Sequence, residues 1–559
     1  MSASLSDELP TVVVMPRRAG QVAPSIWLRI AHVALWLVIA LPALYQIFLL
    51  AQAIAGRVAY PYDLEWMEGG MLQHAQRIRH GDGIYLPPNV DFIPYLYTPL
   101  YPTLMAMFSG LVGGPFGPSY LLGRAISVLG LVGIAAAAAA SLTGPHLHRI
   151  VAATGLALGL GLFAAGYPFV EGWYDLVRAD TLFLFMITAG IAGLTAWAPA
   201  STGAVGHGKV AAGAAVMALA FFCKQTGIFY VAFGGAIVLC LAWRRVPTYV
   251  AMAALIGLGG TWLLDRATGG WFWTYVSEIH RAHDFNMDRF YASFRNILWH
   301  FPAMTIAVVA AALVVAITVR RTGRVPQPAR AFVVWAAAYV VSTVVGAVGW
   351  GTEFAHFNAY MPALLHGALA AGAAVPAVLA CVRALGRGDR RGDRRASLAA
   401  AVIAVPLAIT CATERWQPER FIPTAADAAA GDRLIERLRS IEGDVWMPSH
   451  PWYPVLAGKA SHAHRMGIKD VTTRQQRTIE RLDSTLRDHG FAAVVLDNRD
   501  IHLELPALRQ YYRPAFVLPP NERPRVRTGA NVVPDAIWLP ILPAAPPPPS
   551  DARAKAAGP

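Results

Sequence analysis

From residue 26 to residue 413 the chain reads as long apolar runs separated by short charged loops. A bilayer core about 30 Å thick is crossed by about 20 helical residues. Runs of that order lie at 26–55, 120–143, 150–167, 180–198, 209–223, 226–243, 248–265, 297–319, 330–349, 357–382 and 397–413. The pattern predicts an α-helical polytopic membrane protein with about eleven transmembrane helices. The apolar piece 100–113 is shorter and stops in the sequence GGPFGP, so it reads as a helix lying at the interface.

Beyond residue 413 the period changes. Residues 425–442 carry an amphipathic helical pattern, 444–448 and 491–498 are short apolar strands, and 472–490 reads as a second helix ended by Gly490. Residues 416–540 are therefore expected to form a small α/β domain. The N-terminal stretch 1–24 and the Pro/Ala-rich tail 541–559 are expected to be disordered.

Charge then assigns sides. If the N-terminus is cytoplasmic, one set of loops collects Arg17, Arg18 and Arg29, then His146, His148 and Arg149, then Lys209, Arg244 and Arg245, then Arg320, Arg321 and Arg324, and the basic run 383–395. The other side receives 60–118, 168–178, Lys224, 266–296, 350–356 and everything after Thr413. Cytoplasmic loops carry the excess of Lys and Arg, so this alternation predicts an inner (plasma) membrane protein with an extracytoplasmic C-terminal domain. Counting 100–113 as a span would invert every later loop and scatter the clusters. On this topology 25–415 is the transmembrane module, with 60–118 and 266–296 as its two long extracytoplasmic loops.

Composition agrees. Of 559 residues 55% are hydrophobic and only 14% charged, against about 25% charged in a soluble domain. The net charge of +13 comes from basic residues clustered in short loops between apolar runs rather than from a contiguous basic patch, so no nucleic-acid partner is expected. Cys223, Cys240, Cys381 and Cys411 all fall in apolar runs without metal-ligand spacing and read as small buried hydrophobes. The first run is too long for a cleavable signal peptide and lacks a small-residue cleavage site, so it reads as a signal anchor.

Against this background the first long loop stands out. Asp63, Glu65 and Glu68 fall within six residues. An extended backbone points Asp63 and Glu65 the same way; a helix starting near Leu64 puts Glu65 and Glu68 on one face. Either arrangement can bring two carboxylates together as a general base, a metal site, or both. An amphipathic helix follows, stopped at Gly81, and Tyr95, Tyr97 and Tyr101 return the chain to the bilayer as interface anchors.

An acidic loop after the first span, a helix leading into GDGIY, and then YTPLYP together resemble the first outer loop of the GT-C superfamily. These are integral-membrane glycosyltransferases that use polyprenyl-phosphate sugars; the protein O-mannosyltransferase and aminoarabinose transferase group is the most similar in style. WYDLVRADTLFLF (173–185) and FFCKQTGIFY (221–230) resemble two further segments of that pattern. The family's adjacent Asp-Glu is replaced here by DLE and WMEGG, which leaves either Asp63 or Glu65 as the base.

The resemblance implies transfer of a sugar from a polyprenyl-phosphate donor to an extracytoplasmic acceptor, with inversion, beside membrane lipids. Asp63 or Glu65 would take the proton of the acceptor hydroxyl, with Glu68 as a secondary acid. Arg178, Lys224 and Arg281 would bind the donor phosphate, and Asp180, His280, His283, Tyr97 and His356 would support the site. A divalent metal ion is a further candidate, held by Asp63 and Glu65 if by any residues. The three histidines in 449–464 are read as belonging to a loop of the C-terminal domain and not to a metal site. The rival class is a transporter or lipid flippase, but such proteins bury ionisable groups in mid-membrane, whereas here the charges gather at one face.

Overall fold

The computed structural model describes residues 26–112, 117–142, 149–197, 203–386, 390–472, 477–498 and 505–542. Residues 1–24 and 543–559, expected to be disordered, lie outside the described residues. In order, the first helices are α1 (Ile26–Arg57), α2 (Glu68–His80), α3 (Leu100–Val112), α4 (Tyr120–Leu142), α5 (Arg149–Ala165), α6 (Ala179–Trp197), α7 (Gly203–Cys223), α8 (Gly227–Ala242) and α9 (Val246–Ala267). Long helices follow at Met287–His300, Pro302–Thr322, Gln327–Gly351, Met361–Leu385 and Arg390–Thr413. Helix is what a bilayer demands of such sequences, because it satisfies every backbone N–H and C=O within the segment.

Among the described residues nine helical stretches are long and apolar enough to cross a membrane, against the eleven expected. The difference has two sources. Gly227–Ala267 is one apolar stretch of 41 residues, about 60 Å of helix and twice a bilayer core; a 3₁₀ turn at Trp243–Arg245 breaks it into α8 and α9. Helix α5 has 17 residues and falls short by length, although it packs on α1 and on Met361–Leu385. Helix α3, at 13 residues, is short as expected.

Met361–Leu385 is the hub, buried along nearly its whole length and packed against α5, Pro302–Thr322, Gln327–Gly351 and Arg390–Thr413. Small residues let it approach α5. A Cβ on Gly372 would stand 2.3 Å from the Gly155 carbonyl oxygen, and one on Gly155 would stand 2.4 Å from that of Gly372. Both close contacts are with backbone, so neither helix can yield locally. Gly372→Ala is expected to force the two apart and cost about 1–3 kcal/mol by overpacking, read as a lower midpoint for thermal unfolding in detergent.

The C-terminal part is α/β. Thr424 and Asp427 form a capping box on the helix Ala425–Ser440, each side chain accepting the other's backbone N–H. Strands β1 (Val445–Trp446), β2 (Ala493–Asp497), β3 (Tyr512–Val517) and β4 (Pro534–Pro540) make one sheet in the order β1-β2-β4-β3. The first pair is parallel and the others antiparallel. The expected helix over 472–490 is not formed as such: among the described residues there, Thr472 ends the helix Arg465–Thr472 and Leu482–Arg487 forms a separate short one. Glu480 instead pairs by backbone with Pro88 and Val90 of the first long loop, and Arg481 adopts φ 61°. Tertiary pairing to the loop overrides the local helical pattern.

Candidate functional site

The first long loop folds around Glu68. Its carboxylate receives two bonds from Arg124 of α4, Nε to Oε1 at 3.1 Å and Nη2 to Oε2 at 2.7 Å. The Leu64 N–H donates to Oε2 at 2.6 Å and the Val177 N–H to Oε1 at 2.7 Å. Both side chains of the pair are fully buried. Arg124 also donates to the carbonyls of Tyr60 and Tyr62. Glu68, expected as a secondary acid, therefore serves as the post that joins 60–68 to the 168–178 loop.

Asp63 is equally committed. Its Oδ1 accepts from the Gly69 N–H at 3.0 Å and the Tyr120 hydroxyl at 2.8 Å, and Oδ2 lies 2.6 Å from Nδ1 of His450. Burial pushes its pKa up, and the His450 bond opposes that. Asp63 does not line the cavity described next. Asp63 and Glu65 thus face different partners instead of converging.

Glu65 opens onto a cavity of about 740 Å³ between the helix ends, the two long loops and the C-terminal part. Arg178, just before α6, donates from Nη1 to its Oε2 at 3.2 Å and from Nη2 to the Tyr97 hydroxyl at 2.7 Å. Burial raises the Glu65 pKa to about 7, with Arg178 pulling the other way. A carboxyl group poised near neutrality in a cleft is what general-base work requires.

The other predicted residues gather on the same cavity, with Asp180 just behind its wall. Lys224 Nζ lies 2.6 Å from Oδ1 of Asp180, which also accepts from Asn358 at 2.9 Å, while Oδ2 accepts from the Trp173 indole at 3.2 Å. His356 stacks on Trp173, ring centroids 5.1 Å apart. His283 reaches Asp470 of the C-terminal part at 3.2 Å, and the His280 ring lies 5.4 Å from that of His283. Arg281 lies 5.9 Å above the Trp273 ring. The apolar part of the lining is made by Phe183, Ile228, Phe229, Val345 and Val348.

A divalent ion does not fit the donor set. Among the described residues no three His, Cys, Asp or Glu side chains converge to hold one, and the nearest partner of Glu65 is a guanidinium. Sequence reasoning missed Tyr120 and Trp173. It also left His450 among three loop histidines with no sign that one of them meets Asp63.

No protein-family model matches the chain, and no curated protein matches it in sequence. Among solved structures it is similar to ArnT from Cupriavidus metallidurans bound to undecaprenyl phosphate, at 15% identity over 92% of this chain and 98% of that one, with a TM-score of 0.52. The same protein in the apo state gives 16% identity, coverage of 91% and 98%, and a TM-score of 0.51. At such identities the likeness establishes the fold: a GT-C architecture with a small C-terminal sheet.

Proposed function

We propose that this chain, built on the GT-C fold, is a membrane glycosyltransferase that moves a sugar from a polyprenyl-phosphate donor to an acceptor hydroxyl at the extracytoplasmic face. The observation that carries the reading is the amphiphilic cavity. Its lining combines the charged Glu65, Arg178 and Lys224 with the apolar Ile228, Phe229, Val345 and Val348. A lipid-linked phosphosugar combines a charged head with an apolar tail, and this lining offers partners to both. The solved ArnT structure described as bound to undecaprenyl phosphate supports the donor class. The positive-inside pattern supports a multi-pass inner-membrane protein with its N-terminus in the cytoplasm.

In this mechanism Glu65 takes the proton of the acceptor hydroxyl as the oxygen attacks the anomeric carbon. The bond from that carbon to the phosphate oxygen breaks, and polyprenyl phosphate leaves with the electron pair. Lys224 and Arg281 compensate the charge that grows on the phosphate. A single displacement by one base inverts the anomeric centre. Arg178 holds Glu65 in place, and Asp180 holds Lys224. Purified protein in nanodiscs, given a panel of radiolabelled undecaprenyl-phosphate sugars and cell-envelope acceptors, is expected to transfer one of them. Transfer by Glu65→Gln at the wild-type rate would overturn the assignment.

Lys224→Met removes a charge-assisted contact worth about 1.5–3 kcal/mol, so kcat/KM for the donor is expected to fall about 10- to 150-fold. Lys224→Arg, which keeps the charge, should recover much of the loss. Initial rates against donor concentration measure both.

A further inference from the structure

We propose that His450 is a positioning residue for sugar transfer, and that through it the C-terminal part holds the Glu65-bearing loop in working register. The proposal rests on the reading of Glu65 as the base. Three ties carry it. His450 Nδ1 lies 2.6 Å from Asp63 Oδ2, and Asp63 in turn accepts from the Gly69 N–H at the start of α2, so the bond pins both ends of the 63–69 turn. Backbone N–H groups of Arg527 and Thr528 both donate to the Leu64 carbonyl, at 2.8 and 2.9 Å, one residue before Glu65. Gly529, at φ 72°, passes so close that a Cβ there would lie 3.0 Å from Trp173 and 3.6 Å from Cγ of Glu65. Glu65 is thus wedged between a membrane-module arginine and a strip of C-terminal backbone.

Of these ties only the His450 bond is made by a side chain that can be changed without altering backbone. His450 and Asp63 side chains are 1% and 0% exposed, so water cannot replace the bond. His450 also stacks on Tyr453, ring centroids 5.0 Å apart, which fixes the imidazole plane. The ionisable groups around Glu65 are Arg178, Glu68, Asp63, Tyr95 and Tyr97. Of these, Asp63 is the one that His450 contacts. Without His450 the loosened turn admits water to Glu65, and relief of the burial that raises its pKa lowers the midpoint.

The test compares His450→Ala with His450→Asn in the full-length protein, because the Asn amide nitrogen falls where Nδ1 of the imidazole lies. A displacement on the order of 1 Å costs up to about 100-fold, so His450→Ala is expected to lower kcat about 30-fold with donor KM within about twofold. His450→Asn should stay within about threefold of wild type. Tyr120→Phe removes the hydroxyl bond to Asp63 at unchanged ring size; it should lower kcat in the same sense and decides the matter if His450→Ala does not fold. Infrared titration of the Glu65 carboxylate, assigned by difference from Glu65→Gln, reads the register without turnover. Its midpoint should fall from about 7 in His450→Ala and stay in place in His450→Asn. An unchanged midpoint with unchanged kcat in His450→Ala, or in Tyr120→Phe if that variant must stand in, overturns the proposal. A wild-type chain that transfers no sugar while its Glu65 midpoint moves as expected refutes the transferase reading and leaves the positioning intact.

Discussion

Glu65→Gln is expected to lower kcat for sugar transfer by about 10²–10⁴-fold, the range a positioned general base contributes, with donor KM little changed. Glutamine keeps the shape of the side chain and an oxygen for Arg178, so the loss isolates the proton. The pH profile supplies the sign. Only the ionised carboxylate accepts a proton, and burial holds the Glu65 pKa near 7 rather than at its ordinary 4.5. Hence kcat/KM should climb tenfold per pH unit below about 7 and flatten above it, because this profile reports the free enzyme's base. Glu65→Gln should erase that limb, whereas Lys224→Met should keep it and lower the whole profile. A flat profile in the wild type between pH 5 and 8 would contradict the assignment.

The second large effect is on folding. Arg124→Leu leaves the Glu68 carboxylate fully buried without its cation and strands the carbonyls of Tyr60 and Tyr62. Removing one member of a buried pair costs about 3–5 kcal/mol, a large share of a typical total of about 5–15. Little folded protein should survive extraction, judged by monodispersity on size exclusion and by the thermal midpoint. Asp393→Asn is the control: its pair with Arg383 is mostly exposed, 62% on the Asp393 side, and such pairs contribute about 0–1 kcal/mol. Similar midpoints for the two variants would refute the role given to Glu68.

Sequence and structure agree where one physical rule dominates. Lipid leaves helix as the choice for a run such as 330–349, and Gln327–Gly351 is helical. The resemblance implies one site for Arg178, Asp180 and Lys224, and the Lys224–Asp180 bond joins two of them. The acids of the first loop were harder. Spacing says that Asp63, Glu65 and Glu68 are close, but it cannot say which finds Arg124, which finds His450 and which is left to the cavity. Those partners lie 56 and 387 residues away and are chosen by packing. The helix expected over 472–490 fails for a related reason, since Glu480 gives its backbone to the first loop. Strands β3 and β4 carry Pro514, Pro534 and Pro540, which argue against strand in a local reading. They pair regardless, β3 occupying the sheet edge.

The span of 387 residues between Asp63 and His450 also sets an order of events during synthesis. At about 5–20 residues per second, roughly 20–80 s pass between the ribosome's making Asp63 and making its partner. Through that interval the helices can insert and pack, but the Glu65 turn lacks the contact that shapes it. Residues Arg527 and Thr528, which grip Leu64, arrive later still. The nascent chain therefore enters the membrane with the Glu65 turn unformed, and the turn is completed only once His450, Arg527 and Thr528 have been made.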